Sequence, residues 1–264
     1  MRIAVLGARG TVGGFLYNSL KPHYSVTGIT RDELDLTNAW AVCEYFSNNP
    51  FDIVFNAAIN PDSRVIADVQ VAQDNFALFT NLYAVRNMVG RVIHFASGAE
   101  FDQRRPIVNA REEDLFTIMP TDPYGMSKNV TSRISYTTDN WYTLRLFGVF
   151  HPTELPRRLL PRILSNATIT VTDKYFDYLY LEDLLPVAEA YINDTPVYKD
   201  MNLVYSDKML LSEFVKRFCH YHQLSGENIQ YGDFSELSYT GNGDKWTSLN
   251  MRLEGIDMGM IKYK

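Results

Sequence analysis

Two rhythms alternate along the first half of the chain. Short runs rich in β-branched and aromatic residues, "RIAVLG", "SVTGITR", "DIVFNAA", "RVIHFAS" and "YTLRLFGVF", read as strands. Between them the apolar residues recur at helical spacing. Helices are predicted from about Thr11 to Leu20, through "TNAWAVCEYFSNN" with Thr37 as its N-cap, through "QVAQDNFALFTNLYAVRNM", and from near Tyr124 onward. Strands that alternate with helices imply right-handed βαβ units and a parallel sheet covered on both faces. The expected fold class is α/β, a doubly wound parallel sheet with a small C-terminal α/β domain. Past residue 150 the texture changes. Prolines at 152, 156 and 161 and the basic cluster Arg157, Arg158 and Arg162 lead into short strands. "SEFVKRFCHYHQL" is one amphipathic helix with Phe214, Val215, Phe218 and Cys219 on one face. A larger domain is therefore expected over 1–150, with a returning segment near 176–194. A small substrate-binding domain is expected from 151–175 and 195–264.

Composition removes several classes of function. With 46% hydrophobic residues the 264-residue chain can bury a sizeable core. A net charge of −6 leaves no excess of Lys and Arg to neutralise phosphates, so no nucleic-acid partner is expected. Cys43 and Cys219 lie far apart with no C-x-x-C pair, which suits free thiols in a reducing compartment. "MRIAVLGARG" reads as a first strand and not as a signal peptide, and no apolar run approaches the roughly 18 residues of a membrane span. A cytoplasmic chain without a membrane partner is expected. The "CHYH" at 219–222 holds two histidines two apart on a helix, which do not converge on one ion, so no metal site is expected.

The first strand runs straight into "GARGTVGG", where Gly7, Gly10 and Gly13 are spaced G-x-x-G-x-x-G before a helix. Gly7 permits the tight turn, Gly10 lets the backbone approach a pyrophosphate, and Gly13 allows close helix–sheet packing. Arg9, Thr11 and Val12 complete a loop whose N–H groups and helix dipole suit phosphates. This is the dinucleotide-binding, or Rossmann, arrangement. An acidic residue at the end of the second strand would mark NAD. Here Thr30 and Arg31 fall at that point, and Arg9 projects from the glycine loop, so NADP(H) is favoured over NAD(H). Asp35 and Leu36 are expected beside the adenine. Asn56, Ala57, Ala58 and Asn60, at the end of the third strand, are expected along the cofactor.

Together with "PTDPYGMSK" these segments resemble the extended short-chain dehydrogenase/reductases, the NAD(P)-dependent epimerase/dehydratase family that acts on nucleotide sugars. The motifs "GARGTVGG", "DLTN", "NAA", "NFALFTNL", "FASGAEF" and "PYGMSK" stand in family order. "FDYLYLEDL" resembles a segment of the family's second domain. "TSLNMRLEGI" resembles the C-terminal stretch of dTDP-4-dehydrorhamnose reductases, and "TRDELDL" and "GARG" resemble their counterparts in the NADPH-dependent GDP-fucose synthases. The spacing of Tyr124 and Lys128 has a chemical reason. Four apart on a helix, they share a face, and the lysine cation stabilises a phenolate whose ordinary pKa is about 10. Tyr124 can then exchange a proton with a carbonyl or alcohol. The resemblance implies that Lys128 also bonds the nicotinamide ribose, that Ser97 binds the same substrate oxygen as Tyr124, and that Phe147 passes near the nicotinamide. It also implies a nucleotide-sugar substrate and a homodimer. Asn75 matches a family asparagine, with a structural role and a catalytic one both open.

The departures are informative. Ala99 stands where GDP-fucose-type enzymes carry a cysteine, and Glu100 falls one place after the dehydratases' acidic residue. Neither C3/C5 epimerisation nor dehydration is supported. Reduction of a nucleotide-activated 4-keto-(6-deoxy)sugar remains, with a 4-epimerase that keeps its NAD(P) bound, or a non-catalytic dinucleotide-binding sensor, as alternatives. Phe176 replaces the family arginine that holds the nucleotide diphosphate. Lys174, or Arg157 and Arg158 of the basic cluster, are the candidates to supply that charge to substrate, the alternative for the cluster being a solvated helix face.

Overall fold

The computed structural model describes residues 1–60, 69–193 and 198–264. In chain order the first half holds β1 (Arg2–Leu6), α1 (Thr11–Leu20), β2 (Ser25–Ile29), α2 (Ala39–Asn48), β3 (Phe51–Asn56), α3 (Val69–Ala84), β4 (Val89–Ser97), β5 (Ile107–Ala110) and α4 (Pro123–Tyr136). The second half holds β6 (Trp141–Leu146), β7 (Gly148–Phe150), α5 (Leu159–Leu164), β8 (Ile169–Asp173), β9 (Tyr178–Tyr180), α6 (Leu184–Ile192), β10 (Asp200–Leu203), α7 (Leu211–Tyr221), β11 (Ile229–Phe234), β12 (Tyr239–Gly241), α8 (Asp244–Ser248) and α9 (Gly255–Ile261).

Six strands form one sheet in the order β10-β6-β4-β3-β1-β2, with every pairing parallel. The doubly wound class expected from the alternation is the observed one. Each central strand is apolar on both faces because helices cover both. Ile3, Val5, Ile53, Phe55, Ile93 and Phe95 pack with Phe15 and Leu16 of α1 and with Leu184, Val187 and Tyr191 of α6. Ala4, Leu6, Val54 and Val92 pack on the other side with Val42 and Phe46 of α2 and Phe79 and Leu82 of α3. A third cluster, built from Leu160, Ile163, Val171, Phe214, Val215, Phe218 and Met260, is the core of the smaller lobe. The predicted apolar face of α7 is the face that it buries. Among the described residues no helix is long and apolar enough to cross a membrane.

Four expectations need correction. The domain boundary expected between residues 194 and 195 lies outside the described residues, but β10, beyond it, pairs with β6 and closes the main sheet. Trp246 of α8 also packs in the core of that sheet. "YTLRLFGVF" is not one strand. It breaks at Phe147, where the Gly148 N–H donates to the Asp177 carbonyl at 2.9 Å and β7 pairs with β9 instead. Asn38, not Thr37, caps α2, its Oδ1 accepting from the Ala41 N–H at 3.1 Å. The Thr37 hydroxyl is already donated to Asp35. Finally, α3 stops at Ala84, and a short 3-10 turn, Arg86–Met88, follows. Asn140 Nδ2 donates to the Arg86 and Val89 carbonyls across that turn.

Register decides which strand ends reach the site. Asn56, the last residue of β3, is level with His94 of β4. β4 then continues through Phe95 and Ala96 to Ser97, about 10 Å further at strand rise. It does so beside β6, with Ser97 opposite Leu146.

Candidate active site

At the C-terminal edge of the sheet lies a cavity of about 930 Å³, where β1 and β3 leave in opposite senses. Its walls combine the glycine loop, the end of β2, the segment after β3, the start of α4 and the loop after β7.

The glycine loop is shaped by steric necessity. Gly7 holds φ +77°, a left-handed value, and a Cβ there would stand 2.9 Å from the Ala57 carbonyl oxygen. A Cβ at Gly13 would stand 2.3 Å from the Gly7 oxygen, so α1 approaches the turn only because residue 13 has none. Gly10 is the N-cap residue of α1, without a side-chain cap and with no acidic residue in the first turn. The N–H groups of that turn are left for a ligand, and Gly10, Thr11, Val12 and Gly13 all line the cavity. Gly13→Ala is expected to raise the Kd for a nicotinamide dinucleotide more than about tenfold, since one unresolved backbone clash costs at least that much. Fluorescence titration of the folded variant checks it.

At the end of β2, Thr30 and Arg31 line the cavity, and Arg31 is exposed. The Thr30 Oγ1 is buried without a partner among the described residues. Both acids that follow are engaged. Asp32 pairs with Arg9, and the Thr30 N–H donates to Glu33 at 2.7 Å, which lowers the pKa of the Glu33 carboxyl. Asp35 Oδ1 accepts from the Thr37 N–H and hydroxyl, and these bonds hold its carboxyl below the usual range. Asp35 and Leu36 line the cavity beside Leu34 and Thr37. Ala57, Ala58 and Asn60 line it as well.

Asn56 does not. It is buried, with Nδ2 3.1 Å from His94 Nδ1 and Oδ1 accepting from the Ala58 N–H, so its side chain holds the turn after β3. Burial, with the charges of Lys128 and Arg145 nearby, pushes the His94 imidazole well below its ordinary pKa and keeps it neutral. Asn75 accepts from the Asn60 N–H at 3.0 Å, which ties the segment after β3 to α3.

Tyr124 and Lys128 project from the first turns of α4 and both line the cavity. The helix starts there because Asp122 caps it, accepting from the Gly125 N–H at 2.7 Å, and because Pro123 occupies a first-turn position. Gly125 brings that turn against the neighbouring loop: a Cβ on it would be 2.6 Å from the Ala99 carbonyl. Lys128, 8% exposed, donates from Nζ to the Phe95 carbonyl of β4 at 3.0 Å. Phe147 lines the same end of the cavity, and its ring packs over Gly98, where a Cβ would come within 2.4 Å.

Ser97 is placed differently. It is buried, outside the cavity lining and one residue past Ala96, which lines it. Its Oγ accepts from the Ala99 N–H at 3.3 Å and stands 3.4 Å from the Tyr239 hydroxyl. Glu100, the acid one place late, is sealed in the interior. It forms an ion pair with Arg145 at 2.8 Å, both side chains being 0% exposed. It also accepts from the Ser132 hydroxyl of α4 at 2.7 Å and from the Ser97 N–H at 3.3 Å.

Of the basic residues, Arg157 and Arg158 line the cavity. Arg158 donates Nε to Glu154 at 3.2 Å and Nη2 to the Val149 carbonyl at 3.1 Å. Arg162 turns away to the Thr168 carbonyl. Lys174 does not line the cavity. Its ammonium sits 5.6 Å over the Phe176 ring, and burial lowers its pKa. No local pattern marks Tyr239, 142 residues from Ser97, or Asn18, Thr153 and Leu155, which line the cavity without belonging to any motif.

The residues fit a nicotinamide dinucleotide: an uncapped helix start behind a glycine cradle, an unsatisfied hydroxyl at the end of β2, and a Tyr–Lys pair at the far end. When bound, such a cofactor supplies or accepts a hydride.

The model of the NAD dependent epimerase/dehydratase family matches residues 3–203. No curated protein matches the sequence. Among solved structures, GDP-mannoheptose C4 reductase from Campylobacter jejuni with NADP bound is 20% identical, with TM-score 0.77 over 98% of this chain and 96% of that one. The dTDP-4-dehydrorhamnose reductase from Bacillus anthracis in complex with NADP is 15% identical, with TM-score 0.79 over 99% and 96%. UDP-glucose 4-epimerase from Thermotoga maritima with UDP-glucose is 16% identical, with TM-score 0.79 over 100% and 98%. At these identities the likeness is one of fold.

Proposed function

Because the chain belongs to the NAD-dependent epimerase/dehydratase family, we propose that it reduces a nucleotide-linked 4-keto sugar with NADPH, Tyr124 being the proton donor. One observation carries this reading. Tyr124 and Lys128 open into the same cavity as the glycine loop, so a proton donor and a dinucleotide cradle face a shared space. In the reduction the carbonyl carbon gains a hydride, and its oxygen gains the proton of the Tyr124 hydroxyl. Lys128 favours this by placing a fixed cation near the phenolate that is left, which solvent then reprotonates. By the family resemblance Ser97, buried next to the cavity-lining Ala96, supplies a hydrogen bond to the same oxygen as negative charge grows on it. The substrate's diphosphate is met by Arg157 and Arg158, which line the cavity and take over from the family arginine replaced by Phe176.

The preference for NADPH rests on Arg31, exposed at the end of β2 beside the unsatisfied Thr30 hydroxyl. Arg9 is already committed to Asp32. The test is loss of NADPH absorbance with a panel of nucleotide 4-keto-6-deoxysugars. Turnover with at least one, faster with NADPH than with NADH, is expected, and tight NADPH binding without turnover of any would sink the reading. Arg31→Ala should raise the Kd for NADPH about tenfold, one charge-assisted bond, and leave NADH unchanged. Parallel titrations measure both.

A further inference from the structure

We propose that Tyr239 is a positioning residue for this reduction, fixing the direction of the Ser97 proton. The inference rests on the reading of Ser97 given above. A serine hydroxyl has one proton and two acceptor sites. One site of Ser97 Oγ is filled by the Ala99 N–H at 3.3 Å. The Tyr239 hydroxyl stands 3.4 Å away, a gap across which either oxygen can donate, and we assign the phenol as the donor that fills the other site. With both acceptor sites occupied, the serine's own proton is left for the substrate oxygen, where charge develops. The separation is long for a hydroxyl pair, as catalytic bonds often are before substrate draws the groups together.

Everything around Tyr239 holds it in that place. Its N–H donates to the Tyr175 carbonyl at 2.8 Å, and its own carbonyl accepts from the Asp177 N–H at 3.1 Å. Its ring is packed by Phe147 at 5.0 Å and by Phe176 at 5.1 Å, and the residue is 5% exposed. Phe176 is the position at which the chain departs from the family arginine. Packed against Tyr239 and bridged to it through the backbone, it forms a wall for the tyrosine ring that a charged side chain would not. Phe147 packs on Gly98, next to Ser97. β12 thus reaches Ser97 through this phenol.

The experiment is a double-mutant cycle on turnover of the 4-keto sugar that the wild type reduces, using Tyr239→Phe, Ser97→Ala and both together, with Tyr124→Phe alongside. Tyr239→Phe is expected to lower kcat about tenfold, with KM, NADPH affinity and melting temperature unchanged, and Ser97→Ala to lower it about a hundredfold. The double variant should match Ser97→Ala alone, because the phenol acts only through the serine. An unchanged kcat in Tyr239→Phe, or a further tenfold loss in the double variant, overturns the proposal. Turnover that survives in Tyr124→Phe instead overturns the reading on which it rests.

Discussion

Tyr124→Phe is expected to remove turnover, by about a thousandfold or more, while leaving NADPH bound as tightly as before. The factor is that of general acid catalysis, which contributes about 10²–10⁴ when the donor is held in place. The substitution takes away one hydroxyl and keeps the ring, so the first turn of α4, with its Asp122 cap and its contact through Gly125, has no reason to move. Rates with the reducible sugar and fluorescence titration with NADPH check the two halves separately. An inactive protein that had also lost its cofactor would point to damage. A fully active one would take Tyr124 out of the chemistry. A sensor that only binds dinucleotide would respond to NADPH in the same way with or without the hydroxyl.

The second large effect is on stability. Arg145→Met should destabilise the fold by about 3–5 kcal/mol, because it strands the Glu100 charge where both side chains are fully buried. Arg145 also donates to Asn202 of β10 at 2.9 Å and lies over the Phe101 ring, so its loss is felt on both sides. The companion variant Glu100→Gln with Arg145→Met should recover most of that loss. No charge is then left unpaired, and the amide still accepts from Ser132 and the Ser97 N–H. Urea unfolding of the single and double variants measures the difference. A single variant as stable as wild type would show that the pair contributes nothing.

How much of this was legible beforehand follows from the range of each interaction. The strands and helices of the first half were readable because their periodicity is local, and the glycine loop because its glycine spacing falls within seven residues. Tyr124 and Lys128 were readable because a helix turn fixes their relation. Asn56 was expected along the cofactor, yet its side chain turns to His94, a partner on the neighbouring strand that no local pattern specifies. Lys174 was a reasonable candidate by charge alone, and its placement over Phe176 depends on the fold of the smaller lobe. β10 has four residues, too few to show an alternation, and the break at Phe147 is imposed by Asp177 and Gly98, which lie elsewhere in the chain. Glu100 was judged as an acid in the wrong place for dehydration. Its partner Arg145 gives the reason it is there.

The position of β10 bears on how the protein is made. During synthesis the first five strands of the sheet emerge in order, and each can pair with one already present. β6 then waits as an edge, its backbone groups open, until residues 200–203 arrive. That pairing spans some sixty residues of intervening chain, so it carries a high contact order and comes late in folding. Until it forms, Arg145 lacks Asn202, and the exposed edge is the place where a nascent chain can meet a neighbour. Pairing of β10 removes that edge, so the aggregation-prone species is the intermediate that precedes it.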